Sequence, residues 1–374
     1  VNPNDFPISP PRAWVEIDTA ALLENLTFAR KVSGCGIMAV VKAGAYGHGL
    51  EVIARTLESA GVEFLGIANI GEARRIREAG VRSRIYLLGA TWEAEREEIV
   101  ARNITPCVSS TEEAAAFNAI AARRGVRLAV HLAVDTGMGR GGFLAEGIAE
   151  NFAQLTAMDS LAIEGIASHL SSADEDAEFT WSQIRCFEET VEKLGGVEKF
   201  QWRHLSNSAG ILGYPVGCRN LARPGLMLYG ISPIPGFQDS LKNVMSLKSR
   251  VTLVRTLPAG HGVSYGRSFV TTRPTRIATI GIGYGDGYPR HISGKGAEVF
   301  IRGVKHPVIG RVTMDQIMVG LPDESEVSCG DEVELFGANI PVTTVAAQAD
   351  TIAWEILTGI TPRVQRVYLP DHRA

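Results

Sequence analysis

The sequence predicts an α/β barrel followed by an all-β domain. Three observations carry that expectation. Short apolar runs alternate with amphipathic segments over roughly the first two thirds of the chain. After about Met245 the texture changes to short β-branched runs separated by Gly, Pro or Asp. The length, 374 residues, gives room for two or three domains.

In chain order, Pro3, Pro7, Pro10 and Pro11 make the opening a non-helical leader. Trp14–Ile17 reads as a strand, and Asp18 as the cap of a helix whose apolar face carries Leu22, Leu23, Leu26 and Ala29. Eight apolar runs follow: Ile37–Val41, Phe64–Ala68, Ile85–Leu88, Ile104–Val108, Leu128–Val134, Leu161–Ala167, Trp202–Leu205 and a weaker one near Leu221. Helical patterns between them fall at Glu51–Ala60, Gly71–Ala79, Thr111–Arg124, Glu146–Met158, Phe179–Leu194 and Ser208–Leu212. Eight strand–helix repeats are what a (β/α)8 barrel needs. A doubly wound sheet shows the same alternation, and periodicity leaves it open.

Beyond the linker around Pro233–Gly236, strands are expected at Arg250–Leu257, Thr275–Ile282, Ala297–Ile301, His306–Ile309, Gln316–Val319, Glu332–Leu335 and Thr343–Val345. A closing helix is expected near Thr343–Leu357. The expected domains are therefore a barrel over 12–240 and a β domain over 241–374, the latter joined by the leader 1–11.

Composition narrows the function classes. Hydrophobic residues make up 45% and charged residues 21%, the balance of a globular protein. A net charge of −4 with interspersed signs offers no basic surface for nucleic acid or an anionic membrane. No apolar stretch reaches the ~18 residues of a membrane span, and the opening has neither the basic nor the apolar region of a secretory signal. The five cysteines are scattered without a C-x-x-C pair, which excludes zinc and thioredoxin-like sites and fits free thiols in a reducing cytoplasm.

The sharpest local feature is Ala39-Val-Val-Lys42-Ala-Gly-Ala-Tyr46-Gly-His48-Gly49. A lysine at the C-terminal end of a buried strand lies where barrel enzymes keep reactive groups. Desolvation there lowers its pKa, so that it can form an imine with an aldehyde. An isolated strand-end lysine more often only snorkels into water; the glycine-rich segment with Tyr46 and His48 reverses that preference.

This segment resembles the pyridoxal phosphate (PLP) attachment signature of bacterial alanine racemases. The resemblance runs from Trp14-Val-Glu-Ile-Asp18 to Arg363-Val-Gln-Arg366. It passes through Asp135-Thr-Gly-Met-Gly-Arg140, His204-Leu-Ser-Asn207-Ser208 and Arg223-Pro-Gly225-Leu226. It continues in Val263-Ser-Tyr265-Gly266, Ile282-Gly-Tyr284-Gly-Asp286-Gly287 and Gly310-Arg-Val-Thr-Met314-Asp315-Gln316. Each block alone is weak; their joint occurrence in order is specific.

The resemblance implies a fold-type-III PLP enzyme that is a head-to-tail homodimer in the cytoplasm, interconverting L- and D-alanine for peptidoglycan. It implies that Lys42 carries PLP and acts as one base. Inversion at Cα needs a second base on the opposite face, and Tyr265 matches it, supplied by the partner chain. His169 is implied to bond Arg223, and Arg223 to face the pyridine nitrogen, where an arginine can only donate. Local cations of this kind would favour the phenolate form of a tyrosine whose ordinary pKa is about 10. Tyr46, Asn207, Ser208, Gly225 and Leu226 are implied at the phosphate, by the usual barrel phosphate site. Arg140 is implied near the cofactor hydroxyl and substrate carboxylate, with the partner's Met314 on that carboxylate and the partner's Tyr284 narrowing the entrance. Taken singly, Tyr265 is an ordinary turn tyrosine, Arg223 a surface arginine before Pro-Gly, and Ser208 an unremarkable polar residue.

Two positions depart from the family pattern. Ala133 stands where many members have a carbamylated lysine, so Arg140 must be oriented by chloride, water or another side chain. Gly44 stands where the family usually has asparagine. Gly137-Met-Gly139-Arg-Gly-Gly142 also fits G-x-G-x-x-G, but no acidic residue ends the next strand, so a dinucleotide site is not expected. Serine or broad-specificity racemisation, a PLP decarboxylase on the same barrel, and a non-catalytic single-barrel PLP protein are the other readings. The last lacks a β domain, and Tyr265, Tyr284 and Met314 speak against it.

Overall fold

The computed structural model describes residues 10–369. Most of the expected leader, Pro3 and Pro7 included, lies outside the described residues. The chain divides into two compact units, 20–242 and 1–19 with 243–374. The first strand, β1 (Ala13–Asp18), was expected within the barrel domain; it pairs instead with strands of the second unit.

The first unit is a parallel barrel. Its strands are β2 (Gly36–Val40), β3 (Phe64–Ile67), β4 (Ile85–Leu87), β5 (Thr105–Val108) and β6 (Leu128–Asp135). After a two-residue β7 (Phe143–Leu144) on β6 come β8 (Leu161–Ala167), β9 (Trp202–His204) and β10 (Leu221–Ala222). Neighbours pair in parallel from β10 through β2 to β9. The Asn220 amide donates to Arg203 O (3.1 Å) and the Arg223 amide to Ser206 O (3.0 Å), which closes the ring between β9 and β10. That closure decides for the barrel over a doubly wound sheet. Strands such as β3 are buried at every residue because helices cover one face and the barrel interior the other. Met38, Phe64, Tyr86, Cys107, Ala133 and Leu221, one from each of six strands, pack together inside.

The expected helices are present with shifts of one or two residues at most ends, and Arg96–Ala101 adds one that the periodicity missed. Two caps show why they start where they do: Asn69 Oδ1 accepts the Glu72 amide, and Ser110 Oγ accepts the Glu113 amide.

The second unit centres on β11 (Met245–Leu257), which pairs with β1 and has bulges at Leu247/Lys248 and Val251/Leu253. A small hairpin, β12 (Gly262–Val263) with β13 (Phe269–Val270), carries the Tyr265 turn. Then follow β14 (Thr275–Ile280), β15 (Glu298–Ile301), β16 (Val304–Ile309), β17 (Ile317–Gly320), β18 (Glu332–Phe336) and β19 (Gln365–Leu369). The pairings β11–β14–β17–β16–β15–β18–β11 form a closed antiparallel ring, and the bulges let one long strand serve both sides of it. The expected closing helix is two helices, Val342–Gln348 and Ala353–Gly359, separated where Asp350 turns to a φ of 54°. Thr343–Val345, expected as a strand, lies inside the first of them.

Candidate active site

Lys42 follows β2 at the C-terminal mouth of the barrel, and the backbone behind it is unusual. Ala43, Gly44, Ala45 and Tyr46 all have φ between 53° and 65°, a full turn of left-handed helix. For a non-glycine residue this conformation costs about 1–2 kcal/mol, so the surroundings must hold it. They do. The Ala45 amide donates to Val41 O (2.8 Å) and the Gly47 amide to Ala43 O (3.0 Å). The His48 ring lies 3.0 Å from Ala45 O and 2.9 Å from Tyr46 O through Nδ1, which donates because carbonyls only accept. Tyr229 stacks on Tyr46 and donates its hydroxyl to Val40 O (3.0 Å). Glu72 accepts the Ala43 amide at 2.5 Å. Lys42 itself is half-buried, and burial first, then the Arg140 and Arg223 charges, pull its pKa below the ordinary lysine value against the raising effect of Glu72.

Arg223 is buried beside it, with no carboxylate partner among the described residues. Nη2 donates to Ser168 O and to Leu205 O (3.0 Å), and lies 3.0 Å from His169 Nδ1; Nη1 lies 3.2 Å from His204 Nδ1. Arginine has only donors, so both Nδ1 atoms must accept. The proton of His204 then sits on Nε2 and is donated to His131 Nδ1 at 2.8 Å. Burial, then the Arg223 charge, lowers the His169 pKa to about 2; burial first also lowers that of His131 to about 3. His169 is therefore neutral at physiological pH. The expectation that it adds to the local positive charge is corrected: Arg223 and Arg140 carry that charge. The Arg223 Nε is buried without an acceptor among the described residues.

At the other end of the cavity, Asn207 caps the helix Ser208–Gly213 by accepting the Gly210 amide (2.9 Å) and donates to Leu170 O (3.3 Å). Ser208 Oγ accepts the amides of Gly225 (3.1 Å) and Met227 (3.2 Å), which leaves its O–H to donate. The Gly225 amide, expected to face a phosphate, is thus already engaged. A Cβ at 225 would fall 2.6 Å from the Tyr46 hydroxyl, so glycine keeps room for that phenol. Burial raises the Tyr46 pKa to about 12, which keeps it a neutral donor.

Lys42, Tyr46, Arg140, His169, Asn207, Ser208, Arg223, Gly225 and Leu226 all line one cavity of about 360 Å³, a size suited to a small ligand. Ala133 lines it too, leaving the wall beside Arg140 without a carboxylate from that position. The Gly137–Gly142 loop is no dinucleotide cradle, because Asp135 accepts the amides of Gly137 (2.9 Å), Met138 (2.8 Å) and Gly139 (3.0 Å).

The other three expected residues belong to the second unit and are exposed, Tyr265 by 69%. Their loops are tied together there. Tyr284 and Gly285 donate amides to Thr313 O (3.0 Å) and Met314 O (2.9 Å), and Ser264 donates its hydroxyl to Arg311 O (2.6 Å). Buried Asp286 anchors the Tyr284 turn through Arg12 (3.1 Å) and the Gly283 amide (3.0 Å).

Residues 17–233 match the family described as alanine racemase, N-terminal domain, and residues 244–368 match alanine racemase, C-terminal domain. The chain belongs to the alanine racemase family. An alanine racemase of Halothermothrix orenii is 38% identical over 365 residues, covering 95% of this chain and 96% of its own. One of Desulforamulus reducens is 40% identical over 367 residues, covering 95% and 98%. The solved alanine racemase of Clostridium difficile 630 has a TM-score of 0.91 at 35% identity, covering 97% of each chain. That of Bartonella henselae, determined with covalently bound pyridoxal phosphate, has a TM-score of 0.89 at 31% identity, covering 96% of this chain and 100% of its own.

Within this racemase-family barrel, sequence reading gave no role to Glu72, His131 or the His204 ring. The signal for Glu72 was legible as a helix cap followed three residues later by Glu, at Asn69-Ile-Gly-Glu72. The histidines carry no local motif; only the barrel register brings them together.

Proposed function

We propose that this chain racemises alanine with PLP held at Lys42, as the covalently bound cofactor of the Bartonella henselae relative suggests. The observation that carries the reading is the buried Arg223 Nε without an acceptor, in the same cavity as a half-buried lysine of lowered pKa. A pyridine nitrogen is an acceptor that fits this donor, and the Ser208 hydroxyl, the Tyr46 phenol and the Asn207–Gly213 helix start fit a phosphate. When bound, PLP supplies an electron sink that makes the substrate Cα–H acidic.

The residues divide the remaining work. Lys42 takes or returns the Cα proton on one face; burial, then the Arg140 charge, lowers its pKa, which favours the neutral amine that a base requires. Tyr265 of the partner subunit does the same on the other face. Arg223, which can only donate, would face the ring nitrogen of bound PLP and keep it unprotonated, which would limit charge delocalisation and disfavour transamination. His169 and His204, both accepting from Arg223, fix the plane of its guanidinium. Arg140, with the partner's Met314 amide, binds the substrate carboxylate, and the partner's Tyr284 narrows the entrance toward small side chains. The assembly is a cytoplasmic homodimer, and D-alanine for peptidoglycan is its product.

Loss of optical rotation from L-alanine, without release of CO2, tests the reading. CO2 release would favour a decarboxylase, and faster turnover of L-serine than of L-alanine would move the substrate assignment.

A further inference from the structure

Two glutamates use one device at neighbouring places around the barrel mouth. Glu72 stands in the first turn of the helix Ile70–Glu78, after the Asn69 cap. Its Oε2 accepts the Ala68 amide (2.8 Å), and its Oε1 accepts the Ala43 amide (2.5 Å) of the preceding loop, after β2. Glu113 stands in the first turn of the helix Thr111–Arg123, after the Ser110 cap. Its Oε2 accepts the Ser109 amide (2.8 Å), and its Oε1 accepts the Thr91 amide (3.2 Å) and hydroxyl (2.7 Å). They are 7% and 6% exposed. In each, both oxygens accept N–H groups, which suits an ionised carboxylate: a protonated acid or an amide would aim a donor at a donor.

We propose that Glu72 is a positioning residue for Lys42: its carboxylate clamps the left-handed turn at Ala43 and fixes a negative charge beside the lysine amine. This rests on the reading of Lys42 as the PLP-bearing amine. Three successive features make the clamp necessary rather than decorative. Ala43 is the first left-handed residue after Lys42, so its amide points away from the strand ladder and needs an acceptor from outside the turn. The reaching carboxylate belongs to a helix anchored by its own cap, so the clamp is rigid. The charged and titratable groups facing Lys42 are otherwise Arg140 after β6, His169 after β8 and Arg223 after β10. Glu72 is the one carboxylate among them, and it opposes their effect on the amine. Glu113 has the same geometry with no lysine behind the loop it holds, which makes it an internal control.

The experiment compares full-length Glu72→Gln, Glu72→Asp and Glu113→Gln proteins with the parent. Amide hydrogen exchange is read by mass spectrometry at 43–47 and 89–91. In parallel, added PLP is trapped with borohydride as a function of pH, and the modified peptide is mapped. In Glu72→Gln, exchange at 43–47 accelerates by about tenfold or more, a lost hydrogen bond of about 1.4 kcal/mol. The pH midpoint of trapping at Lys42 falls by about one unit, as removal of an adjacent opposite charge requires. Glu72→Asp keeps the charge but is one methylene short, so exchange rises while the midpoint stays nearer the parent's. Should Glu72→Gln fail to fold, Glu72→Asp still decides the clamp. Glu113→Gln raises exchange at 89–91 and leaves the Lys42 midpoint in place. Parent-like protection of 43–47 in both Glu72 variants would overturn the proposal, as would an equal midpoint shift in Glu113→Gln. If PLP does not trap at Lys42 even in the parent, the cofactor reading fails, while the exchange data still judge the clamp.

Discussion

At Lys42 the chain runs into Ala43, Ala45 and Tyr46 at positive φ; at Tyr265 it is flanked by Ser264 and Arg267 at positive φ. Both expected bases thus sit on strained backbone, yet their surroundings differ. The Lys42 turn is held by Glu72, His48 and Tyr229, and burial within its own unit already shifts the lysine. The Tyr265 turn is tied at its base by Ser264 to Arg311 O, but its ring is exposed. One half of the proposed chemistry is therefore organised inside a single barrel. The other half presents its phenol to whatever meets that surface. A single chain already lowers the pKa of its lysine, whereas the Tyr265 ring stands exposed.

This contrast is open to breaking. The largest effect is expected from Lys42→Ala, which abolishes turnover and removes the visible absorbance that PLP acquires on binding. Retained turnover there ends the Lys42 assignment. Tyr265→Ala should slow one direction of α-proton exchange by about 10²–10⁴-fold and the other much less, measured in deuterated water from each enantiomer. Equal losses in both directions would erase the division of labour between the two turns.

Acid sharpens the comparison on the barrel side. Unfolded histidine titrates near 6.5, whereas buried His131 and His169 stay neutral down to about 3 and about 2. Below pH 6.5 the unfolded chain binds protons the folded chain refuses. Stability therefore falls with pH by up to about 1.4 kcal/mol per unit per histidine until the folded values are reached. Urea midpoints at pH 7 and pH 5 read this, and His131→Asn should flatten the slope by one histidine's share. Smallest of all, Asp135→Ala leaves three largely exposed loop amides to water in place of their acceptor and should cost about 0.5–1.5 kcal/mol in thermal unfolding. No change would show that water replaces the carboxylate freely.

Much of this was legible beforehand, for physical reasons. The barrel strands could be read because most are buried apolar runs, as β3 and β4 are at every residue, and even the two-residue β10 was visible as a weak signal near Leu221. β1 was misassigned to the barrel because a strand's sequence names its pleat and burial but not its partner. The break between the last two helices was missed because Thr343–Leu357 is apolar on a helical period straight through Asp350. At the site, motif residues from Lys42 to Leu226, far apart in sequence, converge on one cavity. The protonation of His169 was misjudged, since sequence shows a histidine near an arginine but not the burial that keeps it neutral. His131 and His204 meet only through the register of β6 and β9, which lie on either side of β8.

The claim that each site takes its lysine from one chain and its tyrosine from another can be tested by mixing. The inactive Lys42→Ala protein and the Tyr265→Ala protein, strongly slowed in racemisation, are combined under conditions that exchange subunits. A shared site predicts recovery to about a quarter of the unmodified activity, because half the dimers are mixed and each mixed dimer holds one intact site. Verified exchange with no recovery would contradict the account.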